Sequence, residues 1–269
     1  MAPTKHAVAA GYIAPHPSLR RDSLDVVGFL QQREEYSDKY LASLKSIHQP
    51  PRKWFELLAW WWLLAVRTVV GLLTGTAGRF RGGERQLARR AQMFNCDGQG
   101  TALSAVLVGH ARSVVLNRPD NGWLHTLAME VDCMRCQHAA WTELETPSLA
   151  WRLFDIFLTL NLLSQCCLVY LLAPSVIHSY QVYRAEEDIW WLSAALSMLD
   201  EPGRLPRWER RAAPAAARAY YGLGPDATVK DMLLRMRADE VCIRDINWRL
   251  AGLAPGTPSE AVAVRQLRA

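Results

Sequence analysis

From Ile156 to Ile177 the chain runs 22 residues without a charged side chain. A strand rarely exceeds about ten residues, so a run this long is a helix, either buried or set against lipid. A second apolar run, Leu57 to Leu73, is interrupted only by Arg67 and Thr68. No segment alternates polar and apolar residues as a half-buried strand would, and the fold class read from the pattern is all-α. The longer run could cross a bilayer, but Asn161, Ser164 and Gln165 polarise one side and Pro174 breaks it. Arg67, near the middle of the other, is costly in hydrocarbon unless it faces protein. Trp60-Trp61-Trp62 and Trp190-Trp191 suggest rings held at a membrane interface. Two apolar helices with such rims and basic neighbours suit attachment to one leaflet.

At 269 residues the chain can bury a full core, so one large domain with extensions is expected. Residues 1–55 read as an extended, Pro-containing arm and a polar helix from Ser23 to Ile47. Residues 56–253 form a helical bundle, and residues 254–269 a tail. Within the bundle, helices are expected at 54–76, 98–116, 122–144, Ser148 to Leu172, and Pro174 to Leu199. The last begins at a Thr228 cap and runs to Leu253. The Arg- and Gly-rich segment 79–90 reads as a turn, and 201–227 as an irregular connection. The net charge of +5 is mild and dispersed, which gives no nucleic-acid footprint. Two Arg clusters (Arg79, Arg81, Arg85, Arg89, Arg90; and Arg204, Arg207, Arg210, Arg211, Arg218) suit lipid headgroups, acidic partners or plain solvation. The stretch to Arg21 holds no acid, like a mitochondrial transit peptide, yet is sparsely basic and Pro-rich. It is expected to be retained.

Arg237-Ala-Asp-Glu-Val-Cys-Ile-Arg-Asp-Ile-Asn247 has the frame of a metal-bearing helix. A carboxylate-bridged di-iron centre draws Glu and His at i and i+3 into one bundle core. Here Glu240 is followed by Ile243, and no His in the chain stands three residues from an acid. Cys133-x-x-Cys136, with Cys242 and His138, has ligand-like spacing but no second pair. Its thiols, like Cys166-Cys167, read as small buried side chains.

Three blocks carry a resemblance. Tyr170-Leu-Leu-Ala-Pro-Ser-Val-Ile-His178 continuing to Tyr183-Arg-Ala-Glu-Glu-Asp188 resembles the Tyr-Leu-x-x-Pro…His…Tyr-Leu-Glu-Glu-Glu-Ala segment of the alternative oxidases, monotopic di-iron quinol oxidases. Pro225-Asp-Ala-Thr-Val-Lys-Asp231 with Arg237 to Asn247 resembles their Asp-Ala-Thr-x-x-Asp…Arg-Ala-Asp-Glu-x-x-His-Arg-Asp-x-Asn signature. Asn121-Gly-Trp to Gln137 has the spacing of their Gly-Trp…Asn-Glu-Arg-Met-His helix. Val66-Arg-Thr-Val-Val-Gly71 is similar to their Leu-Glu-Thr-Val-x-Gly. The resemblance implies a ferritin-like, alternative-oxidase-like bundle with membrane-surface helices.

Carried over residue by residue, the resemblance leaves the metal cradle degenerate. Its ligand positions fall on Arg67, Met134, Gln137, Ala185, Glu240 and Ile243, of which only Glu240 is a carboxylate. Two cations need several anionic oxygens and imidazoles, so neither catalytic residues nor an iron cofactor are expected. An ion pair of Arg67 with Glu240, shared with Glu186, would fill the emptied core. Alternatively Arg67 turns outward to headgroups. Of the quinol pocket, His178 and Glu187 persist, while Trp62, Trp191 and Leu192 replace polar handles with apolar bulk.

Three functions compete. An inactive protein could serve as an accessory subunit of a respiratory complex at the mitochondrial inner membrane, complex I being favoured, with other subunits and membrane lipids as partners. A quinol oxidase with altered ligands is the second. A quinone- or lipid-binding module without redox chemistry is the third.

Overall fold

A computed structural model of the chain describes residues 50–76, 83–117 and 123–252, with positions 41, 44 and 46. The expected arm, most of the polar helix to Ile47, the tail at 254–269, Arg79 and Arg81 lie outside the described residues. Eight helices are described: α1 (Trp54–Thr74), α2 (Glu84–Val115), α3 (Trp123–Leu144), α4 (Leu149–Leu172), α5 (Pro174–Asp200), α6 (Pro206–Glu209), α7 (Ala215–Tyr221) and α8 (Val229–Gly252). Among the described residues, extended pairing is confined to the isolated bridge between Ala212 and Thr228. The fold is the all-α bundle that the pattern predicts.

Local chemistry fixes the helix ends. The Glu56 carboxylate accepts the Arg52 and Lys53 N–H groups at 2.7 and 3.1 Å, closing the start of α1. Gly75, at φ +70°, ends it in the left-handed region that a Cβ disfavours. Pro174 opens α5, where its missing N–H costs nothing. Thr228 and Asp231 cap α8 reciprocally: Asp231 accepts the Thr228 N–H at 2.7 Å, and Thr228 Oγ1 accepts the Asp231 N–H at 3.4 Å.

The segment expected as a turn over 79–90 is a correction. From Glu84 onward it is helix, and α2 begins well before residue 98. Arg89 and Arg90 made it look solvated, yet both are buried. Arg89 is held bidentately by Asp155, and Arg90 by Glu187 at 2.7 Å. Charge here belongs to the interior because it is paired there. Arg85, Arg207 and Arg211 stay outside and gather on Glu145, just past the end of α3. The connection 201–227 likewise contains α6 and α7, which seat Trp208 and Tyr221 in the core.

Helices α5 and α8 form the most extensive pairing, and α2 packs along both α3 and α4. One end of the bundle is filled by Trp141, Trp191 and Trp208, with ring centroids 5.6–5.7 Å apart. Trp191 is therefore an interior residue, whereas its neighbour Trp190 is exposed. A second cluster joins Ala59, Leu63 and Val70 of α1 to Met93, Phe94, Val176 and Tyr180, with Phe154, Leu158 and Val169 packed against it.

That cluster shows how α1 and α4 sit: each lays one face on the bundle and turns the other out. Trp54, Leu57, Leu58, Trp61, Val69 and Leu72 recur at helical spacing on the outward side of α1. Leu149, Leu153, Ile156, Phe157 and Leu160 do so on α4. Both helices are long and apolar enough to cross a membrane by length and composition, yet only 28% and 22% of their most apolar stretches are buried. Continuous apolar surface on this scale needs lipid or protein against it.

Because Leu153 and Phe157 touch little of the core, Leu153→Lys and Phe157→Lys should each leave the melting temperature within about 2 °C of the parent. Each should lower partitioning onto zwitterionic lipid vesicles by roughly tenfold, the loss of about 60 Å² of apolar burial. Flotation on a density gradient measures the second effect.

Candidate metal centre

The middle of the bundle is walled by α2, α3, α5 and α8. Met134 and Cys133 of α3, Ala185 of α5 and Ile243 of α8 form one fully buried apolar cluster. Thus the fold brings three of the degenerate ligand positions together, and they carry a thioether, a methyl and a branched alkyl group. Gln137, one turn from Cys133, is also buried, its amide against the Cys133 sulfur at 3.5 Å.

The cation in this interior is Arg184. Its side chain is fully buried, with Nη2 at 3.2 Å from Glu240 Oε2, Nη1 at 2.5 Å from Asp188 and Nε donating to Gln181 Oε1 at 2.7 Å. A Cβ built on Gly98 would lie 2.9 Å from both the guanidinium carbon and the Met134 sulfur. Gly98 is therefore the residue of α2 that lets Arg184 occupy the centre. Three polar bonds pin the guanidinium, so it cannot step aside for a side chain at 98.

A continuous polar chain runs from this cation. Gln181 donates to Glu130 Oε1 at 2.8 Å, and Asn247 donates to Glu130 Oε2 at 2.9 Å. With its amide nitrogen so engaged, Asn247 offers Oδ1 to the His178 Nδ1–H at 2.8 Å. His178 Nε2 then accepts the Tyr170 hydroxyl at 3.1 Å. Both nitrogens of His178 are used, and burial lowers its pKa to about 4. A neutral, twice-bonded imidazole is a structural strut here.

Four carboxyls surround the one guanidinium: Asp97, Glu130, Asp188 and Glu240. Burial pushes Asp97 up to about 6, against the opposing 2.6 Å bond from the Tyr180 hydroxyl. Burial pushes Glu130 up to about 7. Asp188 and Glu240 are also raised, burial outweighing the attraction of Arg184. Burial disfavours charge on Arg184 too, but its carboxyl neighbours outweigh it and raise its pKa. One guanidinium neutralises about one carboxylate, and the surplus acids give up their protons at higher pH than free carboxyls do.

The expected pairing of Arg67 with Glu240 and Glu186 is not what forms. Arg67 lies on α1, outside the central helices and half exposed, and bonds Glu187 at 3.3 Å. Glu187 is shared with Arg90, while Glu186 takes Arg244 at 2.7 Å. Arg67 on α1 therefore stands outside the centre, which α2 completes. The other positions near the substrate pocket are also occupied. Trp62 packs on Tyr180 with centroids 5.3 Å apart, and Trp191 and Leu192 are buried with the Trp cluster.

Arg184 and Asp188 were not singled out from the sequence, although the signal was present. Against Tyr-Leu-Glu-Glu-Glu-Ala, the segment Tyr183-Arg-Ala-Glu-Glu-Asp188 loses an acid at Ala185. It gains a cation at 184 and an acid at 188, spaced i,i+4 to pair on one helix face.

A helical bundle with these signatures defines a class, and sequence comparison agrees: the profile described as alternative oxidase matches residues 36–252. The chain belongs to the alternative oxidase family. It is 26% identical to the mitochondrial alternative oxidase of Emericella nidulans over 85% of this chain and 67% of that protein. It is 30% identical to the mitochondrial ubiquinol oxidase of Batrachochytrium dendrobatidis over 62% of this chain and 52% of that protein. For the alternative oxidase of Trypanosoma brucei brucei the figures are 30%, 55% and 44%. The chain spans about two thirds of the length of the fungal relatives it matches over most of its sequence.

The donor set at the centre does not fit the two iron ions that the resemblance implies. Met134, Ala185 and Ile243 offer no anionic or imidazole ligand. The Glu240 carboxylate is committed to a guanidinium, whose charge repels a cation.

Replacing Arg184 by Leu should destabilise the chain by roughly 3–5 kcal/mol, because Asp188 and Glu240 lose their buried partner. Adding Asp188→Ala should recover part of that loss, which urea titration of the single and double variants measures. Asp97, raised from the usual carboxylate range to about 6, binds its proton more tightly folded than unfolded. Its stabilisation is therefore complete below about pH 4 and is lost as pH rises through 6. Asp97→Asn should melt progressively higher relative to the parent between pH 5 and 7.5, by an amount equivalent to at most about 3 kcal/mol.

Proposed function

We propose that this chain is a catalytically silent alternative oxidase, kept as a structural subunit rather than as a quinol oxidase. The observation that carries the reading is Arg184: a fully buried guanidinium sits beside Glu240, among the residues that stand at the ligand positions. An oxidase of this class works by holding two metal ions within reach of dioxygen and quinol. Here that volume is filled by side chains whose charge opposes the metal.

On this reading the protein is mitochondrial, as its relatives are named, and lies on the inner membrane. The outward faces of α1 and α4 rest in one leaflet. The partners are other subunits of a respiratory membrane complex, complex I being the favoured setting, together with membrane lipids. The segments at 1–55 and 254–269 would carry the contacts with those partners.

A second reading, a lipid- or quinone-binding module without redox chemistry, is favoured by one cleft. About 210 Å³ lies between the start of α1 and the facing sides of α5 and α8, lined by Arg52, Lys53, Tyr183, Glu186 and Trp248. It pairs cationic groups with aromatic walls, as a headgroup or a ring would need.

Purified from its own membranes, the protein should contain far less than one iron per chain by elemental analysis and should not consume oxygen with ubiquinol. Gentle detergent extraction and native electrophoresis should place it in a large complex. Two irons per chain with quinol-dependent oxygen uptake would overturn the proposal. Migration as a free monomer would remove the subunit role and leave the lipid-binding reading.

A further inference from the structure

Away from the centre, α2 carries a second cluster on its other side. Cys96 precedes Gly98 by two residues, about 200° around the helix, so it faces away from Arg184. It meets His138 of α3 and Asp155 of α4. Their ligand atoms (the Cys96 sulfur, a ring nitrogen of His138 and a carboxylate oxygen of Asp155) all lie within 4.8 Å of one another. Among the described residues, this is the group of three such atoms that converges closely enough to hold a metal ion. Cys96 and Asp155 are buried, and His138 is half-buried.

We propose that Cys96, His138 and Asp155 form a binding site for one borderline-soft divalent cation, with zinc as the fitting ion. The separation of Cys96 Sγ from His138 Nδ1 is 3.6 Å. Zinc bonds of about 2.3 Å to sulfur and 2.05 Å to nitrogen at a tetrahedral angle place the two ligands about 3.6 Å apart. Two of the three ligands thus stand at coordination distance before a metal arrives, and Asp155 has at most about 1.4 Å to close.

The support around the ligands is of the kind metal sites use. Arg89 holds the Asp155 carboxylate bidentately at 2.7 and 2.5 Å, fixing its orientation. A metal would take a second lone pair of one oxygen, against the opposing charge of the guanidinium, which lies beside this site instead of filling it as Arg184 fills the centre. Arg89 is itself fixed by Gln92 Oε1 at 3.1 Å and by stacking on Trp151, 4.3 Å from the ring centroid. Such outer partners orient ligands and tune affinity. Three protein ligands from three helices leave the fourth position to water.

Proton accounting is simple. In the metal-free protein, the Nδ1–H of His138 donates to the Gln92 carbonyl at 3.3 Å. Binding shifts that proton to Nε2, so the imidazole remains neutral and presents its Nδ1 lone pair. The Cys96 thiol gives one proton to solvent as the metal–thiolate bond forms. Burial holds this thiol's pKa up at about 12 and lowers that of His138, so the site waits as a neutral thiol and a neutral ring. The metal, rather than bulk pH, would deprotonate the sulfur. The site differs from the Cys133-x-x-Cys136 spacing considered in the sequence: His138 reaches across to another helix.

Cobalt(II) is the probe. The full chain, reduced and stripped with chelator, is titrated with Co²⁺ while the near-ultraviolet thiolate-to-cobalt band and the visible tetrahedral bands are followed. The expected result is a 1:1 end point, with zinc displacing the cobalt and abolishing the bands. Cys96→Ser and His138→Ala should each weaken binding at least about 100-fold, and Asp155→Asn about 10–100-fold. The double variant Cys136→Ser/Cys167→Ser, which alters the two half-buried thiols, should bind as the parent does. Circular dichroism and melting of each metal-free variant separate lost ligation from lost folding. Absence of a thiolate band in the folded parent, or its persistence in folded Cys96→Ser, would overturn the proposal. Either result leaves the reading of the bundle centre untouched, because that reading rests on iron content and oxygen uptake.

Discussion

The structure turns on one buried cation. Arg184 is enclosed on all sides, and the groups that meet it set what the centre of the bundle can be: Glu240, Asp188 and Gln181 by charge and hydrogen bond, Gly98 and Met134 by close approach. Taking a guanidinium out of water costs several kcal/mol, recovered only with near-complete partnering. The partnering extends through Gln181 and Glu130 to Asn247, His178 and Tyr170, so helices α3, α5 and α8 are cross-linked by a continuous hydrogen-bonded network. The bundle has internal electrostatics of its own and does not need an external ion to satisfy Glu240.

The charge pattern elsewhere follows the same logic. Arg89 and Arg90 enter the core from α2 and find Asp155 on α4 and Glu187 on α5. Arg244 of α8 finds Glu186 of α5. Each pair joins different helices, so the interior is fastened by ionic contacts of long sequence separation as well as by apolar packing. Meanwhile α1 and α4 present leucine, isoleucine and tryptophan outward. Inside and outside have partly exchanged their usual chemistry, which is what a protein seated on lipid requires.

Much of the fold was legible because the long apolar runs, Pro174 and the Thr228 cap act locally. Helix α4, the break at Pro174, α5 and α8 fall close to their expected limits for that reason. The first half of α2 was not legible: Arg85 to Arg90 has the polarity of a turn, and only the distant acids Asp155 and Glu187 explain why two of these arginines go inward. At the centre, the grouping of Met134, Ala185 and Ile243 followed from matching motifs. The true cation did not, because Arg184 and Asp188 stand between and beside the matched ligand positions and not at them. The partner of Arg67 was not legible, because the pattern of an apolar helix does not say which acid of a neighbouring helix it meets; it meets Glu187. Cys96, His138 and Asp155 lie 42 and 17 residues apart, on three helices, and no local spacing could have joined them.

The surplus of acids around Arg184 has an evolutionary consequence. Asp97, Glu130 and Asp188 already exceed what a single guanidinium can balance. A lone reversion of Ala185 or Met134 to an acid would add another buried negative group before any ion could compensate it. A lone reversion of Arg184 would strand the acids that are present. Every such single substitution therefore runs uphill in folding free energy. The guanidinium thus acts as a ratchet that holds the centre in its present arrangement of charge.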